Sequence, residues 1–374
     1  MTKICLNMIV KNESKIIIRL LDSVLTIIDN YCICDTGSTD DTINIITKYF
    51  DDKNISGKII HEPFLNFSYN RNIALKGCLG LSDYILLLDA DMCLDIKTFD
   101  KESLIHDYYY VLQGSEDFSY SNIRIVKNNG KFKYVGYTHE YLDVTNVPNE
   151  TNVPNETNET IDKNSLFIND IGDGGSKEDK FKRDIILLEK SIIEEPHNQR
   201  SYFYLANSYK NVENYDEAIK NYNIVLELNG WNQEKYCSCY YLGEIYYKFH
   251  FIDNSMKYWF KTLDYDNERI EGIINIVEHF YNKDLHIMVN LLYNKFKNYN
   301  KHLKNNKLFL YNYKYKYLLE YYNSISAFYT HDYDSGYLCC KMCIENNVHK
   351  EQTLKNIKFY KEIIVTEVPV ISNK

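Results

Sequence analysis

The chain has 374 residues, of which 45% are hydrophobic and 25% are charged. This composition is typical of a soluble globular protein and excludes disordered, collagen-like and disulfide-scaffold chains, and the length suggests two or three domains. Asp and Glu outnumber Lys and Arg by 52 to 43, and the resulting net charge of −9 argues against a nucleic-acid partner.

Apolar stretches are short throughout the sequence. Tyr84–Leu88 falls far below the roughly 20 residues that a membrane span needs, and Met1 leads into ICLNMIV without a signal-peptide cleavage site. The ten cysteines form no paired CxxC motif, so we expect free buried thiols. We therefore expect a cytoplasmic protein without a membrane span, in the host cytoplasm if the AT-rich residue usage reflects a viral genome.

Strands and helices alternate over about the first 143 residues. Ile17, Leu21 and Val24, for example, recur at the spacing of one helix face. Such alternation predicts an α/β domain with a mostly parallel, Rossmann-like sheet. In chain order, the pattern predicts strands over 3–10, 31–34, 58–61 and 84–89 and helices over 14–28, 40–49 and 68–77.

The sequence pattern changes in the middle of the chain. Residues 144–165 contain an imperfect tandem of NVPNET without apolar periodicity, which predicts a low-complexity loop. From about residue 176 the pattern is helical. We therefore predict an N-terminal α/β domain over 1–175 and an all-α domain over 176–374.

The helical part contains an internal repeat. The pattern around Leu205 and Ala218 recurs 37 positions later around Leu242 and Ser255, close to the 34-residue period of tetratricopeptide (TPR) repeats. A non-repeating helical bundle is the alternative interpretation. Two further, degenerate helix pairs are predicted within 268–297 and 310–346.

The strongest chemical signal is Asp89-Ala-Asp91, directly after the apolar strand. Ligands of parallel sheets bind beyond the carboxyl ends of the strands, where carboxylates at i and i+2 can reach a common point. Carboxylate oxygens suit Mg²⁺ or Mn²⁺, and these ions partner phosphates. The sequence predicts a metal–phosphate site here, with a solvated strand end as the alternative.

A second acidic cluster follows the strand over 31–34. Asp35 ends the strand, Gly37 permits a tight turn, and a helix follows. A carboxylate in this position can accept hydrogen bonds from a ribose or a base edge. An ordinary turn with a helix N-cap within Ser38–Asp41 is the alternative.

These two clusters and three further motifs, in this order, resemble the family 2 glycosyltransferases of the GT-A fold. The resemblance covers about the first 140 residues, and one branch of that family also carries TPR-like helices behind the catalytic domain. The motifs are Asn7-Met-Ile-Val-Lys-Asn12-Glu13, Asp35-x-x-Ser38-x-Asp40-x-Thr42, Phe67-Ser-Tyr-Asn-Arg71-Asn72-x-Ala74-Leu75, Asp89-Ala-Asp91 and Val135-Gly136-Tyr137-Thr138-His139-Glu140.

The resemblance implies a metal-dependent, inverting transfer of a hexose or N-acetylhexosamine from a UDP-sugar to a hydroxyl or other nucleophile of a protein or glycan. It implies Mn²⁺ or Mg²⁺ as cofactor, held by Asp91, Asp89 and His139, with an orienting or core histidine as the alternative for His139. The residues implied in nucleotide-sugar binding are Val10, Asn12, Glu13, Asp35, Ser38, Asp40, Arg71, Asp89 and Ala90.

Two roles stay open within this resemblance. The candidate bases are Glu140, Asp117 and Glu116, and the sequence does not decide among them. Arg71 is predicted either to face the diphosphate or to form a structural ion pair.

One departure from the branch's pattern concerns the metal site. Members often have a His-Gly pair after the His-Glu motif, whereas 167–175 of this chain contains no histidine, and Asn169 or Asp170 takes that place. The third metal ligand is therefore open. The basic residues that follow, Lys177, Lys180 and Arg183, are predicted either to close over phosphates or to form a solvated face.

Two other functions compete with glycosyl transfer. A catalytically weak, nucleotide-sugar-binding TPR scaffold would keep the fold but not the turnover. A nucleotidyltransferase would usually carry a glycine-rich loop after the first strand, and Asn7–Ser14 lacks one. The helical domain is expected to present the acceptor or to form a homodimer.

Overall fold

The computed structural model describes residues 1–114, 119–145, 158–174, 180–301, 303 and 307–367. The chain divides into two compact units, 1–196 and 197–374. The first unit combines strands with helices, and the described part of the second is all-helical, which confirms the predicted fold class. No helix in the described ranges is long and apolar enough to cross a membrane.

The first unit is built around one large sheet. Its strands are β1 (Ile4–Val10), β2 (Asn30–Asp35), β3 (Ser56–His61), β4 (Tyr84–Leu87), β5 (Met92–Ile96), β6 (Tyr108–Gly114), β7 (Ser119–Lys127), β10 (Asn158–Thr160) and β11 (Leu166–Asp170). Eight follow the order β3-β2-β1-β4-β7-β6-β11-β5, and β10 pairs with β6. β1 to β4 are parallel, whereas β7 runs antiparallel to β4 and β6. β8 (Lys133–Val135) and β9 (Tyr141–Asp143) form a separate antiparallel pair.

Both faces of this sheet are covered by packed side chains. Strand β1, whose sequence is almost wholly apolar, is buried on both faces. Ile4, Leu6 and Met8 belong to the core cluster that includes residues of α1 (Ile17–Val24) and α2 (Thr42–Asp52). Cys5 lies on the opposite face, in a cluster with Leu75 of α3 (Phe67–Gly77). Successive strand side chains point to opposite faces, so a strand buried on both sides has no polar alternation.

The described part of the second unit consists of four consecutive helix pairs followed by one further helix, as the repeat predicted. The helices are α5 (Gln199–Asn211), α6 (Tyr215–Glu227), α7 (Asn232–Lys248), α8 (Ile252–Lys261), α9 (Glu271–Tyr281), α10 (His286–Phe296), α11 (Leu318–Tyr329), α12 (Tyr333–Glu345) and α13 (Lys350–Glu367). Ala218 and Ser255, the small residues of the repeat, are fully buried. The last predicted pair begins only at Leu318, and Asn312–Tyr315 ahead of it form a short 3₁₀ helix.

Two features of the first unit differ from expectation. Residues 158–160, inside the predicted loop 144–165, form β10 because their main chain pairs with β6. Helix α4 (Lys180–Glu194), which we predicted in the helical domain, belongs to the first compact unit. Its fully buried Asp184 accepts a hydrogen bond from Thr138 Oγ1 at 3.1 Å, and its Leu188 is also buried.

Candidate active site

The parallel pairing of β1, β2 and β4 brings the predicted motifs to one edge of the sheet. Val10 is paired with Asp35 at the end of β2, and Asn7 is paired with Leu87 at the end of β4. The main-chain amide of Thr36 donates to Val10 O at 2.9 Å, which continues the pairing beyond the strands. The loops that carry Asn12, Asp35 and Asp89 therefore begin side by side.

The loops after β1 and β2 are tied together by predicted site residues. Asn12, in a left-handed conformation with φ of 57°, donates its amide to Ser38 Oγ at 3.0 Å. Its side-chain Oδ1 accepts from the amide of Thr39 at 2.7 Å. Asn tolerates this conformation better than most residues. Asn12 and Ser38 thus fix the shape of this edge.

Asp40 strengthens the same link between the two loops. Its carboxylate accepts from the amide of Ser14 at 3.2 Å and from the amide and hydroxyl of Thr42 at 3.1 and 2.5 Å. Burial alone would raise the pKa of Asp40, but these hydrogen bonds outweigh it and lower the pKa to about 2. The N-cap residue of α2, Asp41, makes no side-chain cap bond.

Asp35 is nearly buried at the end of β2. Its Oδ1 accepts from the amide of Ser38 at 3.0 Å, and its Oδ2 lies 3.2 Å from Nδ1 of His61. The side chain of His61 is 66% exposed, so the residue that contacts Asp35 on this side is accessible to solvent. These contacts fit both a turn-forming carboxylate and one edge of a nucleoside pocket.

Arg71 joins two predicted site carboxylates. Its Nη2 donates to Asp89 Oδ1 at 2.6 Å, and its Nε donates to Glu140 Oε1 at 2.5 Å. Arg124 approaches Asp89 from β7, with Nη1 3.7 Å from Oδ2. Burial would raise the pKa of Asp89, but attraction to the two arginines lowers it. Asp89 is thus a charged carboxylate held between two guanidinium groups.

Asp91 lies in the opposite electrostatic environment. Burial raises its pKa, and repulsion from Asp89 and Asp170 raises it further. The amide of Gly174 donates to the Asp91 carboxylate, which partly offsets these effects. A Cβ on Gly174 would lie only 3.1 Å from Asp91 Oδ2, so this close approach favours glycine. The carboxylate of Asp91 therefore lies in a region of concentrated negative charge.

The segment that carries Gly174 is anchored to the rest of the unit. Arg19 of α1 forms two hydrogen bonds with Asp173, from Nη2 to Oδ1 at 2.7 Å and from Nη1 to Oδ2 at 3.0 Å. The amide of Ile171 donates to Asp91 O at 3.3 Å. Asp170 of β11, one of the two residues in the place of the branch's histidine, is thereby held beside Asp91.

His139 is oriented by α4. Its Nε2 lies 3.6 Å from the fully buried Asp184 Oδ2, and its φ is 51°. Burial would raise the pKa of Asp184, but His139 and Arg183 lower it. This contact matches the orienting alternative for His139. Within the described residues no group of three His, Cys, Asp or Glu side chains is already arranged to hold a metal.

These residues surround a cleft of about 500 Å³ in the first unit. Most predicted site residues line it, whereas Asn12, Asp35, Ser38 and Asp40 lie in the adjoining loops. The candidate bases Asp117 and Glu116, and the basic Lys177, lie outside the described residues. The predicted residues in the lining are Val10, Glu13, Arg71, Asp89, Ala90, Asp91, His139, Glu140, Asp170, Lys180 and Arg183.

Sequence reasoning missed the wall of the cleft that β6 and β7 supply. Arg124 donates from Nε to Gln113 Oε1 at 2.6 Å and from Nη1 to Leu87 O at 3.2 Å. Gln113 in turn donates to the hydroxyl of Tyr120 at 2.6 Å. An arginine between Ile123 and Ile125 in a strand-like stretch was the available signal, because such an arginine must find buried partners.

A mostly parallel sheet with paired aspartates and basic side chains beyond its carboxyl edge defines an α/β domain suited to a phosphorylated ligand. Residues 5–145 match the model of the family described as glycosyl transferase family 2. The chain therefore contains a family 2 glycosyltransferase domain, as the ordered motifs predicted.

Curated relatives are similar over parts of the chain. An uncharacterized glycosyltransferase of Rickettsia prowazekii is 35% identical over 91 residues, which are 24% of this chain and 28% of the relative. The SPbeta prophage-derived glycosyltransferase SunS of Bacillus subtilis is 27% identical over 226 residues, 56% of this chain and 50% of the relative. The chain thus spans half or less of the length of these relatives.

Among solved structures, residues 1–349 of TarS from S. aureus, in complex with UDP-GlcNAc, are similar at 14% identity and a TM-score of 0.38. That alignment covers 68% of this chain and 89% of the TarS chain.

Proposed function

We propose that this protein is a metal-dependent inverting glycosyltransferase that uses a UDP-hexose or UDP-N-acetylhexosamine as donor and a nucleophile of a protein or glycan as acceptor. The observation that carries the proposal is the environment of Asp91 within a family 2 domain. Its carboxylate faces the like charges of Asp89 and Asp170 at the edge where α/β sheets bind phosphates.

The donor atoms around Asp91 fit a divalent cation. Carboxylate oxygens from Asp91 and Asp170 are hard ligands of the kind that Mg²⁺ and Mn²⁺ prefer. A cation bound together with a diphosphate needs only one or two protein carboxylates, so a three-ligand protein cluster is not required. When bound, such a cation would neutralise charge on the departing diphosphate.

The remaining cleft residues have distinct tasks in this proposal. Lys180 and Arg183 attract the diphosphate from the α4 side of the cleft. Arg71 and Arg124 hold Asp89 in its charged form. Asp35, with the loops that Asn12, Ser38 and Asp40 fix, accepts hydrogen bonds from the nucleoside.

The transfer itself requires one base and no covalent intermediate. The acceptor oxygen forms a bond to the anomeric carbon while the bond from that carbon to the diphosphate oxygen breaks, and the acceptor proton passes to a carboxylate. Attack from the face opposite the diphosphate inverts the configuration. Glu140, Asp117 and Glu116 stay the candidate bases.

Donor hydrolysis tests the proposal. The purified chain is incubated with UDP-, GDP- and dTDP-sugars in Mn²⁺, Mg²⁺ or EDTA, and released nucleotide is measured by mass spectrometry. We expect release from one UDP-sugar, lost in EDTA and in Asp91→Asn. Asp95→Asn is the matched control, because Asp95 lies outside the cleft and pairs with Lys97. Thermal stabilisation by UDP without nucleotide release would favour the non-catalytic scaffold. If neither nucleotide release nor thermal stabilisation is observed, the proposed site is rejected.

A further inference from the structure

The connection between α10 and α11 is unlike the others in the helical unit. Within the pairs α5–α6, α7–α8 and α11–α12, three residues join one helix to the next. The α10–α11 connection instead covers 297–317. Long connections in compact domains are usually functional. Residues 307–315 of this connection, which we call the strap, contact α5, α7 and the start of α9.

The helices recognise the main chain of the strap. Arg269, directly before α9, donates from Nη1 to Leu308 O at 2.8 Å and from Nη2 to Phe309 O at 3.4 Å. Gln233 of α7 accepts from the amide of Leu308 at 3.3 Å. Arg269 is 1% exposed and is fixed by Glu271, with Nη2 2.7 Å from Oε1. Contacts to main-chain atoms do not depend on the side chains of the bound segment, as in peptide-binding sites.

Aromatic side chains of the strap stack on the helices. The ring of Phe309 lies 6.2 Å from that of Phe203 in α5, at an interplanar angle of 26°. The ring of Tyr311 lies 5.1 Å from that of Tyr240 in α7. Tyr315 donates its hydroxyl hydrogen to Glu271 Oε2 at 2.6 Å. The strap therefore spans three helices through the aromatic side chains of Phe309, Tyr311 and Tyr315.

A buried lysine completes the fit. Lys314 is 3% exposed and donates to Asn275 Oδ1 of α9. Its ammonium lies 5.2 Å from the centre of the Tyr240 ring, within cation–π range. Burial lowers the pKa of Lys314, and attraction to Glu244, Glu278 and Glu271 opposes that effect. The geometry thus gives the buried ammonium a hydrogen-bond acceptor in Asn275 and an aromatic face in Tyr240.

The strap also carries features of an exchangeable segment. Phe309 and Tyr313 remain 46% and 59% exposed, so its outer side faces solvent. Phe309 has φ of 47°, and Tyr317, just beyond the strap, has φ of 57°. Left-handed backbone is strained for bulky residues. A peptide that is not tethered at both ends need not adopt this strained backbone.

We propose that the shared face of α5, α7 and α9 is a peptide-binding site that the strap occupies as an intramolecular ligand. The partner it takes in exchange is a peptide in which aromatic residues flank a lysine. This inference does not depend on the proposed catalytic function.

Peptide binding to the full chain tests the exchange. The probe is a fluorescein-labelled peptide with the sequence of residues 307–316, followed by fluorescence anisotropy. Phe309→Ala weakens the tethered competitor, so we expect the apparent Kd of the probe to fall about tenfold relative to wild type. Phe249→Ala is the control, because Phe249 is 47% exposed and packs on Tyr215 away from the strap. A probe in which the lysine corresponding to Lys314 is replaced, Lys314→Met, should bind at least tenfold more weakly.

The outcomes separate exchange from a purely structural strap. A folded Phe309→Ala variant that binds the probe no better than wild type overturns the proposal. If that variant does not fold, hydrogen exchange of the wild-type chain decides. The amide of Leu308 is the informative one, because it donates to Gln233 of α7 and is protected while the strap is bound. Exchange of this amide faster than the amides of α7 and α9 supports independent release, and exchange as slow as those helices overturns it.

Discussion

Arg71 and Glu140 are joined by a hydrogen bond of 2.5 Å from Nε to Oε1, and both side chains are largely buried, 13% and 12% exposed. A carboxylate held in this way orients the guanidinium, which in turn holds Asp89. The contact gives Glu140 a role as anchor of Arg71 in addition to its candidate role as base.

Substitution of Glu140 by Gln separates these two roles. The amide oxygen can still accept from Arg71 Nε, so an anchor should keep kcat within about tenfold of wild type. Loss of a general base should lower kcat by about 10²–10⁴-fold. We expect the smaller effect, measured as transfer or donor hydrolysis at saturating donor.

Glu62→Gln is the control for this measurement, because Glu62 is partly exposed and accepts from the hydroxyl of Tyr69 outside the cleft. A fall of a thousandfold in Glu140→Gln alone would contradict the anchor role and assign the base.

Asp91→Asn should stabilise the protein while it removes donor turnover. Burial and the charges of Asp89 and Asp170 raise the pKa of Asp91, so its ionised form opposes folding above that pKa. A neutral amide removes this penalty, and we expect the free energy of unfolding in EDTA to rise by about 1 kcal/mol at pH 7. Urea denaturation measures the gain.

The pH dependence gives a second check on Asp91. The gain in the free energy of unfolding should shrink as pH falls. Asp91 of the wild-type chain then becomes protonated, and the repulsion that destabilises its ionised form is lost. Asp95→Asn should give no comparable gain. Lower stability of Asp91→Asn at pH 7 would show that the carboxylate is not under repulsion.

Much of this site could be predicted from the sequence because its main elements are local. The apolar run 84–88 and the alternation of strands and helices determine a parallel sheet, and a parallel sheet brings its carboxyl ends together. Asp89 and Asp91 therefore follow from position alone. Their opposite environments do not, because these depend on Arg71, Arg124 and neighbours that are distant in sequence.

The unit that α4 joins and the position of the strap were also beyond sequence reasoning. Helical periodicity shows that one face of α4 is buried, but not against which core. Asp184 meets Thr138 across 46 positions in the sequence. Likewise, Phe309 and Tyr311 have aromatic side chains like those of the repeat core, although these two residues lie in the connection between α10 and α11.

Asp40 makes a measurable contribution to acid stability. Its pKa in the folded state is lowered to about 2 by hydrogen bonds from Ser14 and Thr42, against about 3.9 for an ordinary Asp. The contribution is therefore complete above about pH 4 and is lost as pH falls toward 2. Because Asp40 is solvent-exposed, screening limits the expected value to about 1 kcal/mol.

Asp40→Asn should accordingly destabilise the chain by about that amount at pH 7 and by less near pH 2.5. Urea denaturation at both values measures the difference. Asp41→Asn is a neighbouring control, since Asp41 makes no side-chain cap bond to α2. Equal effects of the two substitutions at pH 7 would contradict the role given to Asp40.

The position of α4 predicts where the first unit can be cut. A chain that ends at residue 196 keeps α4, with Asp184 bound to Thr138 and Leu187 and Leu188 buried. A chain that ends at 179 leaves Thr138 without that acceptor and exposes the apolar surface which α4 covers, at a cost of several kcal/mol.

We expect cooperative thermal unfolding of the longer chain and a midpoint at least 10 °C lower, or aggregation, for the shorter one. Circular dichroism measures both, and within the longer chain Asp184→Ala should reproduce part of the loss. Equal midpoints for the two lengths would assign α4 to the helical unit, as the sequence pattern alone predicts.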